Sequence, residues 1–256
     1  MPYDQELRIA KEAAEKAGEI QLSHLHKLLH IENKSDSSPV TQVDKLCEET
    51  IRDLLRKHFP ADGFLGEETG FDPGTSGRKW IVDPLDGTRP YIHGIPTYSA
   101  LIALEDGKDL VVGCMNLPAM RETYWAGKGS GAFLNNSPVH VSKTTDLSAI
   151  MGSGFGHLEK NGTPEAAQLL RVMQAWDYSY GFMDAFTYGC IAAGKIDVSV
   201  NLLDKPWDCA AAAAIVREAG GRFSDIAGRD SIYSGSCVLS NGVVHDAVLE
   251  YFSVCS

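Results

Sequence analysis

No hydrophobic run in this sequence is long enough to cross a membrane. The apolar stretches fall short of the ~20 residues that a spanning helix requires. The opening residues, Met-Pro-Tyr-Asp-Gln-Glu, also lack the basic and then apolar pattern of a secretory signal peptide. We therefore expect a cytoplasmic protein with no membrane partner.

The sequence also lacks closely spaced pairs of cysteines and an excess of positive charge. The formal net charge of -11 argues against a nucleic-acid partner, because nucleic acids are normally bound by a basic surface. The same charge is compatible with an acidic metal-binding cleft, although an acidic surface would give the same total. The cysteines are scattered and show no C-x-x-C spacing, which favours reduced, mostly buried thiols over disulfides. They are Cys47, Cys114, Cys190, Cys209, Cys237 and Cys255.

Several common catalytic motifs are also absent. The sequence has no G-x-S-x-G nucleophile elbow, and its eight histidines show no H-E-x-x-H or other zinc spacing. The spacing Asp83-x-x-Asp86-x-Thr88 differs by one residue from the D-x-D-x-T expected of aspartyl-phosphate enzymes. Serine-hydrolase, zinc-hydrolase and phosphoenzyme schemes therefore fit this chain poorly.

The composition that is present is that of an ordinary globular protein, 44% hydrophobic and 22% charged. The length of 256 residues allows one large domain or two closely packed lobes. The spacing of apolar residues changes near position 150, from helices plus a meandering antiparallel sheet to alternating strands and helices. We therefore predict an α/β fold with an α+β lobe at 1–150 and an α/β lobe at 151–256.

Individual elements follow from apolar periodicity and from turn residues. Helices are predicted at 4–30, 41–59, 164–174, 184–193, 208–219 and 242–252. Strands are predicted at 97–105, 110–118, 121–126, 132–134, 149–153, 196–200, 222–224 and 237–240. Two further apolar runs, Phe64-Leu65 and Trp80-Ile81-Val82, each lead directly into acidic residues.

Residues 80–88, Trp-Ile-Val-Asp-Pro-Leu-Asp-Gly-Thr, are the most informative stretch of the chain. A buried strand here delivers Asp83 and Asp86 to a turn, where two ionised carboxylates repel each other and resist desolvation. A cation is expected to share the site, and a hard divalent ion such as Mg2+ prefers carboxylate oxygens. The alternative is a loop in which the aspartates only form turns.

Three other acids are candidates for the same site, each with a structural alternative. Glu67 ends a short apolar run, but a solvated loop carboxylate would look the same. Asp44 lies three residues after Thr41, the spacing of a helix capping box. Asp208 precedes an alanine-rich helix and would also serve as its N-cap.

A phosphate-handling site would explain these residues together. Mg2+ needs several oxygen ligands and is seldom held by one residue. Gly87 and Thr88 precede a short helical turn whose free N–H groups would suit a phosphate oxygen.

The sequence resembles the inositol monophosphatase superfamily of Mg2+-dependent, lithium-sensitive phosphomonoesterases. The resemblance covers nearly the whole chain and rests on four segments in the family's order. They are Pro39-Val40-Thr41-Gln42-Val43-Asp44, Gly66-Glu67-Glu68, Asp83-Pro84-Leu85-Asp86-Gly87-Thr88, and Trp207-Asp208 leading to Glu218-Ala219-Gly220-Gly221. It implies a layered αβαβα sandwich, usually a homodimer, acting on a small phosphate monoester.

Roles for individual residues are implied by the resemblance. One metal would be held by Glu67, Asp83 and the Leu85 carbonyl, and a second by Asp83, Asp86 and Asp208; Glu67 would also be able to hold a third ion. Thr88 and Asp44 would help a metal-bound water to attack, and Glu67 would orient it. The substrate would meet Asp86, Gly87, Thr88, Asp184, Asn201 and Asp208.

Two residues bear on the choice of substrate. Asp184 lies in a Tyr-Gly-containing segment similar to the histidinol-phosphatase branch, where an acid would suit a substrate ammonium group. Its alternative is another carboxylate at the start of a helix. Asn201 stands where inositol phosphatases usually have a hydroxyl-binding glutamate, which weakens the inositol assignment. We therefore rank histidinol phosphate first and inositol monophosphate second, ahead of other sugar or nucleotide phosphates.

The contrasting class is a non-catalytic descendant that keeps the fold for metal or ligand binding. Such a relative should have lost at least one chemical residue. This chain retains all of them, namely Asp44, Glu67, Asp83, Asp86, Thr88 and Asp208. The sequence therefore favours an enzyme.

Overall fold

A computed structural model of the chain describes residues 3–25, 31–33, 39–181 and 184–253. These ranges contain seven α-helices, fifteen β-strands and a short 3-10 turn at Leu147–Ala149. The helices are α1 Asp4–His24, α2 Gln42–His58, α3 Thr88–Ile92, α4 Pro164–Gln174, α5 Asp184–Ala192, α6 Pro206–Glu218 and α7 His245–Ser253. The strands are β1 Ile31–Asn33, β2 Pro39–Thr41, β3 Gly63–Gly66, β4 Gly70–Asp72, β5 Arg78–Asp86, β6 Ser99–Asp106, β7 Asp109–Leu117, β8 Glu122–Gly127, β9 Ala132–Leu134, β10 Ser137–Val139, β11 Met151–Phe155, β12 Tyr178–Tyr180, β13 Val198–Asn201, β14 Arg222–Ser224 and β15 Cys237–Ser240.

The elements stack in five layers. Helices α1 and α2 cover one face of an eight-stranded sheet, and α5 and α6 cover its other face. The same α5 and α6 contact a five-stranded sheet, whose opposite face is covered by α4 and α7. This arrangement confirms the predicted α/β class and the layered αβαβα sandwich.

The two sheets differ in strand direction. The larger sheet has the order β10-β9-β8-β7-β6-β5-β3-β4 and is antiparallel except for the parallel pair β3–β5. The smaller sheet has the order β12-β11-β13-β15-β14, with parallel pairing among its first three strands and antiparallel pairing in the rest. Because β3 and β5 are parallel neighbours, their carboxyl ends lie side by side at the same end of the larger sheet.

The central strands of the larger sheet are nearly continuous apolar runs because helices cover both of their faces. Ile81 and Leu101 belong to the core shared with α5 and α6. Trp80 and Val82, on the alternate face of β5, belong to the core shared with α1 and α2. The end of β5 is thereby held firmly from both sides.

Helix α6 approaches the larger sheet closely because its middle is a run of five alanines. Residues 210–214 are all buried, and they carry no long side chain to hold the helix away from the sheet. At Gly113 of β7, an added Cβ would lie 2.5 Å from the Ala211 carbonyl oxygen. This helix carries Asp208 in its first turn, so its seating on the sheet fixes one of the predicted site residues.

Most predicted elements agree with the structure, and the differences have local causes. The helix predicted at 4–30 is too long, because Leu25 leaves the helix with ψ 134° without a proline or glycine to signal the stop; residues 26–30 lie outside the described ranges. Helix α6 begins at Pro206 rather than at 208, since proline suits the first helical position. The short strands β1, β2, β4, β10 and β12 were not predicted, because three residues show too little alternation; the equally short β9 and β14 were predicted because glycines precede them. The division of the chain at residue 150 stays a prediction.

The described cysteines and helices bear on two expectations that were drawn from composition. Cys47, Cys114, Cys190, Cys209 and Cys237 are buried and unpaired, as predicted for reduced thiols; Cys255 lies outside the described ranges. Within those ranges, no helix combines the length and hydropathy that crossing a bilayer demands.

The tight contact at Gly113 predicts a sharp difference between two glycines. We expect Gly113→Ala to lower the free energy of unfolding by about 1–3 kcal/mol, because the new methyl group is forced against the α6 backbone. Gly181→Ala is the matched control, since its Cβ would meet no atom of the described chain within 4 Å. Urea denaturation followed by circular dichroism measures both, and equal stabilities would contradict the close α6–β7 packing.

Candidate active site

The site is built around an irregularity at the end of β5. Asp83 pairs with Leu101 of β6, and Asp86 pairs with Ser99, so β5 contains one residue more than its partner across this interval. In a regular strand, residues three apart point to opposite faces. The extra residue removes that alternation, and the charge of Asp86 acts on Asp83. The two predicted metal ligands are therefore brought together by a β-bulge.

Each of these aspartates is fixed by its own hydrogen bonds. The Leu85 backbone N–H donates to Asp83 Oδ1 at 3.0 Å. Asp86 Oδ2 accepts from Ser99 Oγ at 3.0 Å and from the Ala185 backbone N–H at 2.9 Å. The second bond connects the larger sheet to the start of α5, so Asp86 joins two layers of the fold.

Glu67 lies directly after β3, beside the end of β5. Its backbone N–H donates to the Val82 carbonyl at 3.2 Å, and its side chain shares a hydrogen bond with Asp83. The structure thus brings the three predicted ligands Glu67, Asp83 and Asp86 into one cluster.

Glu48 holds the loop that follows Glu67. Its buried carboxylate accepts the backbone N–H groups of Glu68 and Thr69, each at 2.9 Å. Gly66 lies against the same carboxylate, which an added Cβ would approach to 2.6 Å. Sequence reasoning missed Glu48, although its position one helical turn after Asp44 on a buried face of α2 was a usable signal.

Asp44 caps α2, as one of its two sequence alternatives predicted, and it also lies next to Thr88 of the predicted site. Its Oδ2 accepts from the Thr41 backbone N–H at 2.8 Å and from Thr41 Oγ1 at 2.6 Å, which completes a capping box at the start of α2. Its Oδ1 lies 3.2 Å from Thr88 Oγ1. That hydroxyl is also 3.1 Å from the Leu85 carbonyl oxygen, another predicted ligand. The cap therefore aims the second carboxylate oxygen at the site.

Asp208 is not the N-cap of α6, so that alternative is wrong. The N-cap is Lys205, and Asp208 occupies the third helical position. From there its Oδ2 accepts the Lys205 backbone N–H at 2.6 Å. The charges of Asp86 and Glu67 act on it, which places Asp208 with the acids of the larger sheet.

Asp184 and Gly87 face each other across the entrance to α5. An added Cβ on Gly87 would lie 3.4 Å from Asp184 Oδ2. Both residues have left-handed backbones, with φ 76° at Gly87 and φ 65° at Asp184. Positive φ is unusual for a residue with a side chain and is concentrated at functional sites. The structure therefore adds Asp184 to the cluster.

Asn201 is connected to the acid Asp204 through the Tyr188 hydroxyl. Its Oδ1 accepts the Leu203 backbone N–H at 2.9 Å, and its Nδ2 donates to the Tyr188 hydroxyl at 3.4 Å. The Tyr188 hydroxyl in turn donates to Asp204 Oδ2 at 2.6 Å. The side chain of Asn201, a predicted substrate contact, is thus hydrogen-bonded within the protein.

Asp204 is a buried acid that the sequence did not reveal. Preceding Lys205 and Pro206, it has the pattern of an ordinary polar turn, so no sequence signal identified it. Its charge acts on Asp86 and Asp208, and it lies with Cys209 and Cys237 in a buried cluster. The Cys209 thiol donates to the Lys205 carbonyl at 3.5 Å, which accounts for that thiol by a hydrogen bond.

Burial dominates the electrostatics of the site. Desolvation raises the pKa of Asp83 well above its ordinary value, and the charges of Glu67, Asp86 and Asp208 raise it further. Desolvation and neighbouring carboxylates likewise raise the pKa of Asp86 and Asp208, although backbone hydrogen bonds oppose the rise. A hard divalent cation would relieve this repulsion, and the predicted ligands offer the carboxylate and carbonyl oxygens that such an ion prefers. The residues present therefore fit Mg2+.

The titration of Asp204 predicts how stability depends on pH without metal. Burial raises its pKa to about 7 from an ordinary 3.8. Its stabilising contribution is therefore complete below 3.8 and is lost as the pH rises through about 7. In EDTA, raising the pH from 4 to 7 should lower the free energy of unfolding less in Asp204→Asn than in the parent. Urea titrations at several pH values measure this, with the exposed Asp53→Asn as control; identical pH slopes for parent and Asp204→Asn would contradict the prediction.

Comparison with known proteins identifies the family of the chain. The family model described as the inositol monophosphatase family matches residues 3–255. A histidinol-phosphatase of Chlorobaculum parvum is 40% identical over 92% of this chain and 91% of that protein, and one of Streptomyces coelicolor is 35% identical over 98% of each. The solved structure of the extragenic suppressor protein suhB from Bartonella henselae has a TM-score of 0.91 at 30% identity, covering 99% of this chain and 100% of that one. The chain belongs to the inositol monophosphatase family of metal-dependent phosphomonoesterases.

Proposed function

We propose that this phosphomonoesterase hydrolyses histidinol phosphate with Mg2+, by direct attack of water and without a covalent phosphoenzyme. The observation that carries the substrate is Asp184, a carboxylate beside Gly87 whose pKa is raised by burial to about 6. Such a group gains most from a positively charged partner, and histidinol phosphate carries an ammonium group. The names of the two histidinol-phosphatase relatives support the same substrate.

The acids at the ends of β3 and β5 and in the first turn of α6 would hold two or three Mg2+ ions. The ligands are Glu67, Asp83 and the Leu85 carbonyl for one ion, and Asp83, Asp86 and Asp208 for another. When bound, Mg2+ lowers the pKa of a water molecule and offsets the negative charge of the phosphate. Asp83 would belong to both sets, which agrees with the several carboxylates whose charges act on it.

Thr88 and Asp44 are suited to moving the proton of the attacking water. The Thr88 hydroxyl lies 3.2 Å from Asp44 Oδ1, so it can donate its proton to that oxygen while accepting one from the water. Burial raises the pKa of Asp44, which makes its carboxylate a stronger base than an exposed aspartate. Glu67, next to Asp83, would orient the same water.

The substrate would lie between the acid cluster and the start of α5. Gly87 and Thr88 would present backbone N–H groups to the phosphate, while Asp86 and Asp208 would border it from either side. Asp184 would receive the ammonium group. Asn201, held by Tyr188, would mark the far wall of the pocket rather than the reacting centre.

Inositol monophosphate is the second candidate substrate, because the family model itself is described by that activity. It carries no ammonium group, so it would leave Asp184 without a charged partner. A homodimer, a cytoplasmic location and a boundary between lobes at residue 150 complete the proposal; light scattering of the purified chain tests the first.

Removal of the metal or of one ligand tests the reaction. We expect EDTA to abolish phosphate release and excess Mg2+ to restore it. Asp86→Asn should lower kcat/KM at least 100-fold, since one anionic oxygen is lost while the hydrogen bonds from Ser99 and Ala185 keep an acceptor. The exposed Asp53→Asn should retain full activity. Metal-independent release from a panel of sugar, inositol, histidinol and nucleotide monophosphates would contradict the proposal.

Substitution of Asp184 tests the substrate. Asparagine tolerates the left-handed backbone about as well as aspartate, so Asp184→Asn should fold normally. Loss of the charged pair should raise the KM for histidinol phosphate about tenfold, with inositol monophosphate changed less than twofold. Steady-state kinetics on both substrates measure this. An equal effect on both, or none on histidinol phosphate, would refute the pairing of Asp184 with an ammonium group.

A further inference from the structure

Gln21 is a polar side chain buried completely in the last turns of α1, far along the sequence from the acids. Its exposed fraction is 0%. Its Nε2 donates to the Pro84 carbonyl at 2.9 Å and to the Ser99 carbonyl at 3.2 Å. These two acceptors lie on the two sides of the bulge that brings Asp83 and Asp86 together.

The bulge creates the need for such a donor. Pro84 lies in the interval between Asp83 and Asp86 where the cross-strand register shifts, and a proline has no N–H of its own to contribute. A buried carbonyl without a donor is costly, and the local ladder is interrupted here. One side-chain amide with two hydrogens satisfies a carbonyl on each strand and spans the irregularity.

A second contact connects Gln21 with the other side of the acid turn. The Tyr91 hydroxyl, from α3, donates to the Gln21 backbone carbonyl at 2.7 Å. Tyr91 is itself packed edge-to-face against Tyr98, with ring centroids 4.8 Å apart. The end of α1 is therefore hydrogen-bonded both to the bulge before Gly87 and to the short helix after it.

The orientation of the Gln21 amide follows from these acceptors. Reversing it would direct Oε1 at two carbonyl oxygens, which repel it. In the orientation present, Oε1 has no hydrogen-bond partner among the described residues. The Nε2 group thus donates to both carbonyls of the bulge while Oε1 stays without a donor. Such an arrangement is unusual for a side chain that only fills space.

We propose that Gln21 is a positioning residue that sets the relative placement of Asp83 and Asp86 and thereby the affinity for Mg2+. The inference rests on the proposed function, because it concerns the metal ligands named there. Gln21 is not among the proposed metal ligands or substrate contacts. It acts through the backbone of Pro84 and Ser99, and Ser99 also donates its hydroxyl to Asp86.

The test compares Mg2+ affinity, measured by calorimetry on the purified chain, in Gln21→Met and in Ile9→Val. Methionine has a similar length but no donor. Ile9 lies in the same helix, twelve residues before Gln21, and its exposed fraction is also 0%. We expect Gln21→Met to weaken Mg2+ binding about tenfold and to raise the Mg2+ concentration for half-maximal phosphate release by the same factor, with KM for the ester at saturating Mg2+ unchanged. Ile9→Val should lose stability but keep the parent affinity.

A conservative variant keeps the inference open to refutation if Gln21→Met does not fold. Gln21→Asn retains the amide on a side chain one methylene shorter, and we expect an intermediate loss of at least threefold in Mg2+ affinity. Parent-like Mg2+ affinity in the folded Gln21 variant would overturn the positioning role while leaving the proposed function intact. A parent chain that binds no Mg2+ would overturn the proposed metal site, and the inference with it.

Discussion

The folded chain must hold several carboxylates close together and away from water, and the rest of the structure is organised around this concentration of negative charge. Burial raises the pKa of Asp83, Asp86 and Asp208, and their mutual repulsion raises it further. Each acid accepts a backbone N–H, from Leu85, Ala185 and Lys205 respectively. These bonds orient the carboxylates without neutralising them, so a cation is the natural completion of the site.

The layered fold supplies a second compensation through its helix termini. Asp44, Asp184 and Asp208 lie in the first turns of α2, α5 and α6, where the N-terminal end of the helix dipole favours negative charge. Glu67 and Asp83 come instead from the adjacent ends of β3 and β5. Because α6 is shared by both sheets, the acid cluster depends on the middle layer and is complete in neither half of the chain alone.

The sequence could reveal most acids of the site but not the residues that support them. The acids at 83 and 86 are visible because the strand, the turn and the hydroxyl are contiguous. Gln21 is not, since its partner Pro84 lies 63 positions away and a buried glutamine on a helix resembles a surface residue in sequence. Asp204 is hidden for the same reason. Glu48 was recoverable from its spacing after Asp44, whereas most of the three-residue strands were not, because they show too little alternation.

The Ala185 N–H that holds Asp86 belongs to the residue after Asp184, so the proposed metal site and the proposed substrate contact meet at the start of α5. A neutral substrate group would leave the Asp184 carboxylate without a partner, but the protein can avoid that by protonating it. With a pKa of about 6, this protonation costs about 1.4 kcal/mol at pH 7. Under the proposed function, Asp184 would therefore disfavour a neutral substrate group modestly at neutral pH and more strongly as the pH rises. Under the proposed function, selectivity beyond that would come from the other proposed substrate contacts, among them Asn201, which makes only neutral hydrogen bonds within the protein.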